Sequence, residues 1–136
     1  GRVKHVAALG HRIHVTQLDG LDFLTTMEPY ATDVLVYADP PYVEQGGSLY
    51  LHAFSADDHQ ALADKLLTAT YPWLLTYDDQ EIIWADLYNA ARCACFNIAH
   101  TAAIQHVGKE TIVYGPTLTV PTGLEITPGV HATWIA

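Results

Sequence analysis

Apolar positions in this chain fall into short runs, and their spacing changes from run to run. Residues 3–9 read as the end of a helix, with Gly10 as its stop. Residues 12–18 alternate, with Ile13 and Val15 apolar and His14 and Thr16 polar, which predicts a short half-buried strand. Asp19-Gly20 is a turn signal. Leu21, Phe23, Leu24 and Met27 then share one face of a short helix that stops before Pro29. Residues 34–38 are apolar at every position, the mark of a strand covered on both faces. Ser55-Ala56-Asp57-Asp58 is a capping box opening a helix over about 56–69, with His59, Leu62, Ala63, Leu66 and Leu67 inward. A third strand fits 73–77. Asp78-Asp79 then caps a helix through Ile82, Ile83, Leu87, Ala90 and Ala91. Fourth and fifth strands fit 96–101 and 111–114.

Strand, helix, strand, helix, strand in this rhythm predicts an α/β fold: a three-layer sandwich on a mostly parallel sheet. The last two strands lack a full helix between them, which predicts an antiparallel hairpin at one edge. Residues 1–115 form the folded portion in this reading. Residues 116–136, with Pro116, Pro121, Pro128, Gly123 and Gly129, read as a loose tail. Ligands of open α/β sheets sit at the carboxyl ends of the strands. Asp19, Asp39 and Asp78 each follow a predicted strand, so three carboxylates point toward one rim.

Composition narrows the picture. At 136 residues, half of them apolar, the chain is at most one ordinary domain with a real core. No apolar run is long enough to span a membrane. The formal charge is -9 with six Lys+Arg, which argues against this chain alone gripping a phosphate backbone. Eight histidines are scattered without ligand spacing, so no metal is expected. Cys93 and Cys95 lie one residue apart, on one face of a strand or opposite sides of a helix, and read as plain buried thiols.

The candidate chemistry lies in Asp39-Pro40-Pro41-Tyr42. Two prolines in a row remove two backbone donors and lock two φ angles, and the residue before a proline is pushed to extended geometry. Asp39 is thereby held at a strand end, with its carboxylate projecting and the Pro40 carbonyl turned outward. A rigid pair of acceptors beside a ring suits an amino group on a flat, stackable substrate. An exocyclic purine amine is a poor nucleophile because its lone pair is delocalised. Two acceptors fixed against its N–H bonds favour the tetrahedral, developing-cation geometry that alkylation requires.

Residues 36–42, Val-Tyr-Ala-Asp-Pro-Pro-Tyr, resemble the catalytic motif of the N6-adenine DNA methyltransferases. Ser48-Leu49-Tyr50-Leu51, Asp58-His59, Leu62-Ala63, and Trp73-Leu74-Leu75-Thr76-Tyr77-Asp78 resemble the Dam-like class within them. Leu18-Asp19-Gly20-Leu21-Asp22-Phe23-Leu24 resembles the segment of that class lying against the cofactor's adenine. The match spans about residues 13–114. It implies a Rossmann-like class I methyltransferase fold, with S-adenosylmethionine as methyl donor and DNA as partner, in a cytoplasmic bacterial or phage-encoded enzyme. Asp39, Pro40, Pro41 and Tyr42 would hold and stack the target adenine. Asp19 and Gly20, with Asp39, would lie near the cofactor, Asp22-Phe23 being the competing register. Tyr50 and His52 would line the DNA-facing loop, the plainer alternatives being packing for Tyr50 and a solvated loop residue for His52.

The departures are as informative. The class's glycine-rich cofactor loop, its acidic ribose contact and its target-recognition domain have no counterpart in these residues. The chain therefore resembles the C-terminal catalytic portion, with one wall of the cofactor pocket. As it stands it is expected to bind S-adenosylmethionine weakly and to be inactive by itself. Two other readings remain open at this point: an RNA base methyltransferase using the same four residues, and a non-catalytic remnant or partner subunit.

Overall fold

A computed structural model describes residues 2–43, 54–100 and 106–135. The fold is mixed α/β, and its centre is a five-stranded sheet. Helix α1 (Arg2–Ala8) and a 3-10 turn precede an extended segment. Helix α2 (Gly20–Met27) follows, then strand β1 (Val36–Ala38), helix α3 (Ala56–Leu67) and strand β2 (Trp73–Asp78). A single π turn (Ile83–Leu87) leads into β3 (Arg92–His100) and β4 (His106–Tyr114). Three short strands end the chain: β5 (Glu125–Thr127), β6 (Val130–His131) and β7 (Thr133–Ile135).

The sheet order is β1-β2-β4-β3-β7. β1 and β2 pair in parallel, whereas β2–β4, β4–β3 and β3–β7 are all antiparallel. The expected mostly parallel sheet is thus corrected to a mostly antiparallel one with a single parallel pair. The cause lies in the connections. A parallel neighbour needs a crossover of a dozen or more residues, usually a helix. α3 supplies one between β1 and β2, but β3 and β4 lie too close in sequence to do anything but turn back. β1, β2 and β3 still run in one direction, and β4 is inserted between β2 and β3 against them. Their carboxyl ends therefore share a rim with the start of β4.

The two faces of the sheet are covered differently. On one face Trp73, Leu75, Tyr77, Cys93 and Val113 pack against Leu24 of α2, Leu62 and Leu66 of α3, and Ile83, Leu87 and Tyr88 of the π turn. On the other face Ala94, Phe96, Ile112 and Tyr114 pack beneath Leu118, Leu124, Ile126 and Val130. The stretch whose prolines and glycines suggest a loose tail thus supplies the β5–β6 ribbon over this face and β7 along the sheet edge. Arg92 fastens it, donating from Nη2 to the Leu118 carbonyl at 2.9 Å and lying 5.8 Å from the Trp134 ring centre. Gly129 turns the ribbon at φ +82, a conformation glycine takes without steric cost.

Three local expectations change. The alternating segment 12–18 is not a strand: Ile13, Val15 and Leu18 are exposed, Val15 at 89%. Alternation gives a segment a face, but a strand also needs a neighbour, and among the described residues none lies beside it. The predicted helix after Asp78-Asp79 shrinks to a π turn closed by Tyr88 N–H to the Ile83 carbonyl at 2.9 Å. The two carboxylates take donors from elsewhere, as described below. The all-apolar run ending at Ala38 is covered on one face only. β1 spans three residues at the sheet edge and leaves Leu35 and Tyr37 each 58% exposed. Among the described residues, no helix is long and apolar enough to cross a membrane.

Candidate functional site

The rim is built strand by strand. β1 delivers Asp39, which is exposed, followed by buried Pro40 and half-buried Pro41 and Tyr42. β2 lies beside it in parallel, with Val36, Tyr37 and Ala38 opposite Trp73, Leu74 and Leu75. One face of β2 reads Leu74, Thr76, Asp78, turning from apolar to acidic toward the rim. Thr76 donates from Oγ1 to Asp39 Oδ1 at 3.1 Å. Its single hydroxyl hydrogen is spent there, so the Tyr37 phenol, 2.8 Å away, donates to it. A chain of hydroxyls, Tyr37 to Thr76 to Asp39, therefore fixes the carboxylate from behind and leaves it open in front.

The segment after the prolines is tied to the same strands. Val43 N–H donates to Asp78 Oδ1 at 3.0 Å, and the Tyr42 phenol donates to Glu110 Oε1 at 2.5 Å. Asp78 and Glu110 are both buried and stand directly opposite each other in the β2–β4 register. Next to them Asp79 takes the Thr111 hydroxyl at 2.7 Å and pairs with Lys109 at 3.0 Å. That bond to Asp79 raises the pKa of the Lys109 ammonium.

Two cavities lie beside the Tyr37–Thr76–Asp39 chain, with Asp39 lining the smaller and Thr76 the larger. The smaller, about 230 Å³, is lined by Gly20, Phe23, Leu24, Ala38, Asp39, Pro40, Phe54 and Leu62 among others. The larger, about 520 Å³, lies between the sheet and the β5–β6 ribbon and is lined by Thr76, Phe96, Asn97, Glu110, Ile112 and Ile126 among others. Tyr37 lines both. Gly20 and Asp39, which the resemblance implies as cofactor contacts, meet in one cavity. Asp19 does not join them there. Its Oδ1 caps α2, accepting from Leu21 N–H at 2.9 Å and Asp22 N–H at 3.4 Å. Tyr50 and His52 lie outside the described residues.

The smaller cavity fits part of an adenosyl cofactor. Its walls are largely apolar, Phe23 presents a ring, and a Cβ built at Gly20 meets nothing within 4 Å. Its volume falls below the roughly 300–1,000 Å³ of complete ligand sites. It has room for a purine ring rather than for a whole adenosyl amino acid.

Behind the rim lies an aromatic cluster in which His59 and Tyr77 are buried and Phe54 is exposed. His59 Nδ1 is 2.7 Å from the Tyr77 hydroxyl, and the Phe54 ring lies 5.3 Å from the His59 ring. Burial lowers the His59 pKa, opposed by the carboxylates of Asp78 and Asp58. Burial likewise pushes the Cys93 thiol up to about 11, an inert state for a nucleophile. Among the described residues, no group of three or more His, Cys, Asp or Glu is placed to hold a metal.

Sequence reading missed the supporting side chains Thr76 and Glu110. Their one signal is the polarity gradient, from Leu74 to Asp78 on β2 and from Tyr114 through Ile112 to Glu110 on β4. Compared with known proteins, the chain matches no family model and no curated protein.

Proposed function

We propose that this chain is the catalytic portion of an S-adenosylmethionine-dependent DNA methyltransferase acting on adenine N6, within a Rossmann-like methyltransferase sheet. One observation carries the reading: a single fixed acceptor, Asp39, lines one cavity and is held by Thr76, which lines the next, an arrangement that suits transfer between two bound molecules. The resemblance of residues 36–42 names the molecules.

Gly20, Phe23 and Phe54 would hold the cofactor's adenine, and the cofactor supplies an electrophilic methyl group. Asp39 and the Pro40 carbonyl accept the two N6–H bonds of an adenine turned out of the duplex. They draw the amine toward tetrahedral geometry, so that its lone pair becomes available as positive charge develops. Tyr42 stacks on the base. The methyl group would pass from the cofactor's sulfonium, whose sulfur keeps the bonding pair as a thioether, to N6, and the N6 proton would pass to water at the exposed Asp39 carboxylate. DNA contacts supplied by other parts of the protein or by a partner suit the acidity of this chain.

The test is transfer of a labelled methyl group by the complete gene product to adenine-containing duplex DNA, read as N6-methyladenine after hydrolysis. Asp39→Ala should lower turnover at least ~100-fold with the fold intact. Near-normal turnover in that variant, or label appearing in ribosomal RNA and not in DNA, overturns the proposal.

A further inference from the structure

Asp78 and Glu110 form an unusual pair. They are register partners on adjacent antiparallel strands, on one face of the sheet, at 9% and 8% exposure. Like charges directly opposite destabilise a strand pair, and a buried carboxylate is costly unless it is hydrogen-bonded. The neighbours of Glu110 on that face of the sheet, Phe96 and Ile112, are apolar and give it nothing to bond. Among the described residues, one donor to each comes from the same short segment. Val43 N–H serves Asp78 and the Tyr42 hydroxyl serves Glu110. Two adjacent residues of the segment after Asp39-Pro40-Pro41 thus satisfy two adjacent carboxylates of the sheet.

We infer that Glu110 is a positioning residue for base methylation: it fixes the plane of the Tyr42 ring, while Asp78 fixes the backbone that carries that ring. This rests on the function proposed above, in which Tyr42 stacks on the extruded base. A tyrosine swings about χ1 and χ2, and each unwanted rotamer lowers the fraction of enzyme ready to receive a base. Anchoring the hydroxyl to a buried, strand-borne carboxylate removes that freedom before DNA arrives. The bond joins residues 68 apart in sequence, so the ring is set by the sheet and not by its own loop.

The experiment is a double-mutant cycle in the complete gene product with Tyr42→Phe, Glu110→Gln and Glu110→Ala. Each variant is assayed for kcat, for KM toward S-adenosylmethionine and DNA, and for fluorescence of 2-aminopurine at the target adenine. Glu110→Ala should lower kcat roughly ten- to hundredfold, leave KM for S-adenosylmethionine unchanged, and brighten the 2-aminopurine signal as stacking is lost. Glu110→Gln, which keeps an acceptor oxygen, should recover most of the rate. In the Tyr42→Phe background both Glu110 changes should have almost no further effect on kcat. If Glu110→Ala fails to fold, the Gln variant and its cycle with Tyr42→Phe decide the matter alone. Losses that multiply between the two positions, or a kcat unaffected by Glu110→Ala, overturn the role of Glu110 while DNA methylation by the wild type stands. A wild-type protein that transfers no methyl group to DNA overturns both.

Discussion

Thr76→Val separates holding the fold from holding Asp39, the acceptor in the proposed reaction. The substitution keeps the shape of the side chain and removes the hydroxyl that joins Tyr37 to Asp39 at 2.8 and 3.1 Å. In isolation the loss looks large. A neutral hydrogen bond contributes about 0.5–1.5 kcal/mol and one to a charged group about 1.5–3. The surroundings offset most of it. Asp39 and Tyr37 are both exposed, so each former partner turns to water and neither is left buried and unsatisfied. Thr76 itself is 8% exposed beside Leu74 and Ile112, so the new methyl gains about 0.8 kcal/mol by burial. Valine also suits a strand. The net change in stability should stay within about 1 kcal/mol.

Activity should respond differently. Without Thr76 the Asp39 carboxylate rotates freely about its terminal torsion. The lost charge-assisted bond then appears in the barrier, as a kcat roughly ten- to hundredfold lower. The assay pairs thermal unfolding with initial rates of methyl transfer. A melting point within ~4 °C of wild type with a sharply reduced kcat supports the reasoning. Turnover within about twofold of wild type refutes the positioning role. A collapse in melting temperature shows that the hydroxyl holds the sheet instead.

Three further outcomes follow from the structure. Gly115→Ala puts a Cβ 2.8 Å from Cε2 and Nε1 of Trp73, a fully buried ring packed against Tyr88, so it should cost about 1–3 kcal/mol; an unchanged urea midpoint would show that the ring moves aside. Asp19→Ala should cost about 1 kcal/mol by removing the α2 cap, whereas Asp19→Asn keeps the cap and should cost only tenths; a large fall in cofactor affinity in the Asn variant would assign the carboxylate to the cofactor, as the resemblance implies. His59 has a folded pKa below its ordinary 6.5 because of burial, so below about that pH the unfolded chain takes up a proton that the folded chain refuses. Stability should fall as pH drops below 6.5 toward the folded pKa, less steeply in His59→Gln, and urea midpoints that are flat from pH 7 to 5 would count against it.

What could be read from sequence was what is decided locally. The capping box at Ser55 and the spacing of Leu62, Ala63 and Leu66 place α3 within two residues of its observed end, because cap and stripe are written in adjacent residues. The cysteine pair, one residue apart, resolves as a strand: Cys93 and Cys95 lie on one face of β3. The segment 12–18 shows the limit. Its alternation is as regular as that of a true strand, yet pairing depends on another segment that the pattern does not mention. The same limit hid the site's supports. Asp39 is legible because Pro40 and Pro41 constrain it from next door. Thr76 and Glu110 are defined only by partners 37 and 68 residues away.

The way the site is tied together bears on how its two cavities act. Asp39 and Tyr42 lean on one face of the sheet, through Thr76 of β2 and Glu110 of β4. The smaller cavity is walled from the helical side, by Gly20, Phe23 and Leu24 of α2 and by Leu62 of α3. The only side chain lining both cavities among those described is Tyr37, whose hydroxyl starts the relay to Asp39. Changes on the helical side should therefore act on cofactor affinity and leave the carboxylate's orientation alone, while changes at Thr76 or Glu110 should act on turnover. Tyr37 is the exception. Tyr37→Phe removes a donor to Thr76 without altering either wall, so that Thr76 is freed to turn toward or away from Asp39. It should give a smaller version of the Thr76→Val defect, in kcat and not in cofactor affinity. A Tyr37→Phe variant that loses cofactor affinity while keeping kcat would show that the ring serves the smaller cavity and that the relay ends at Thr76.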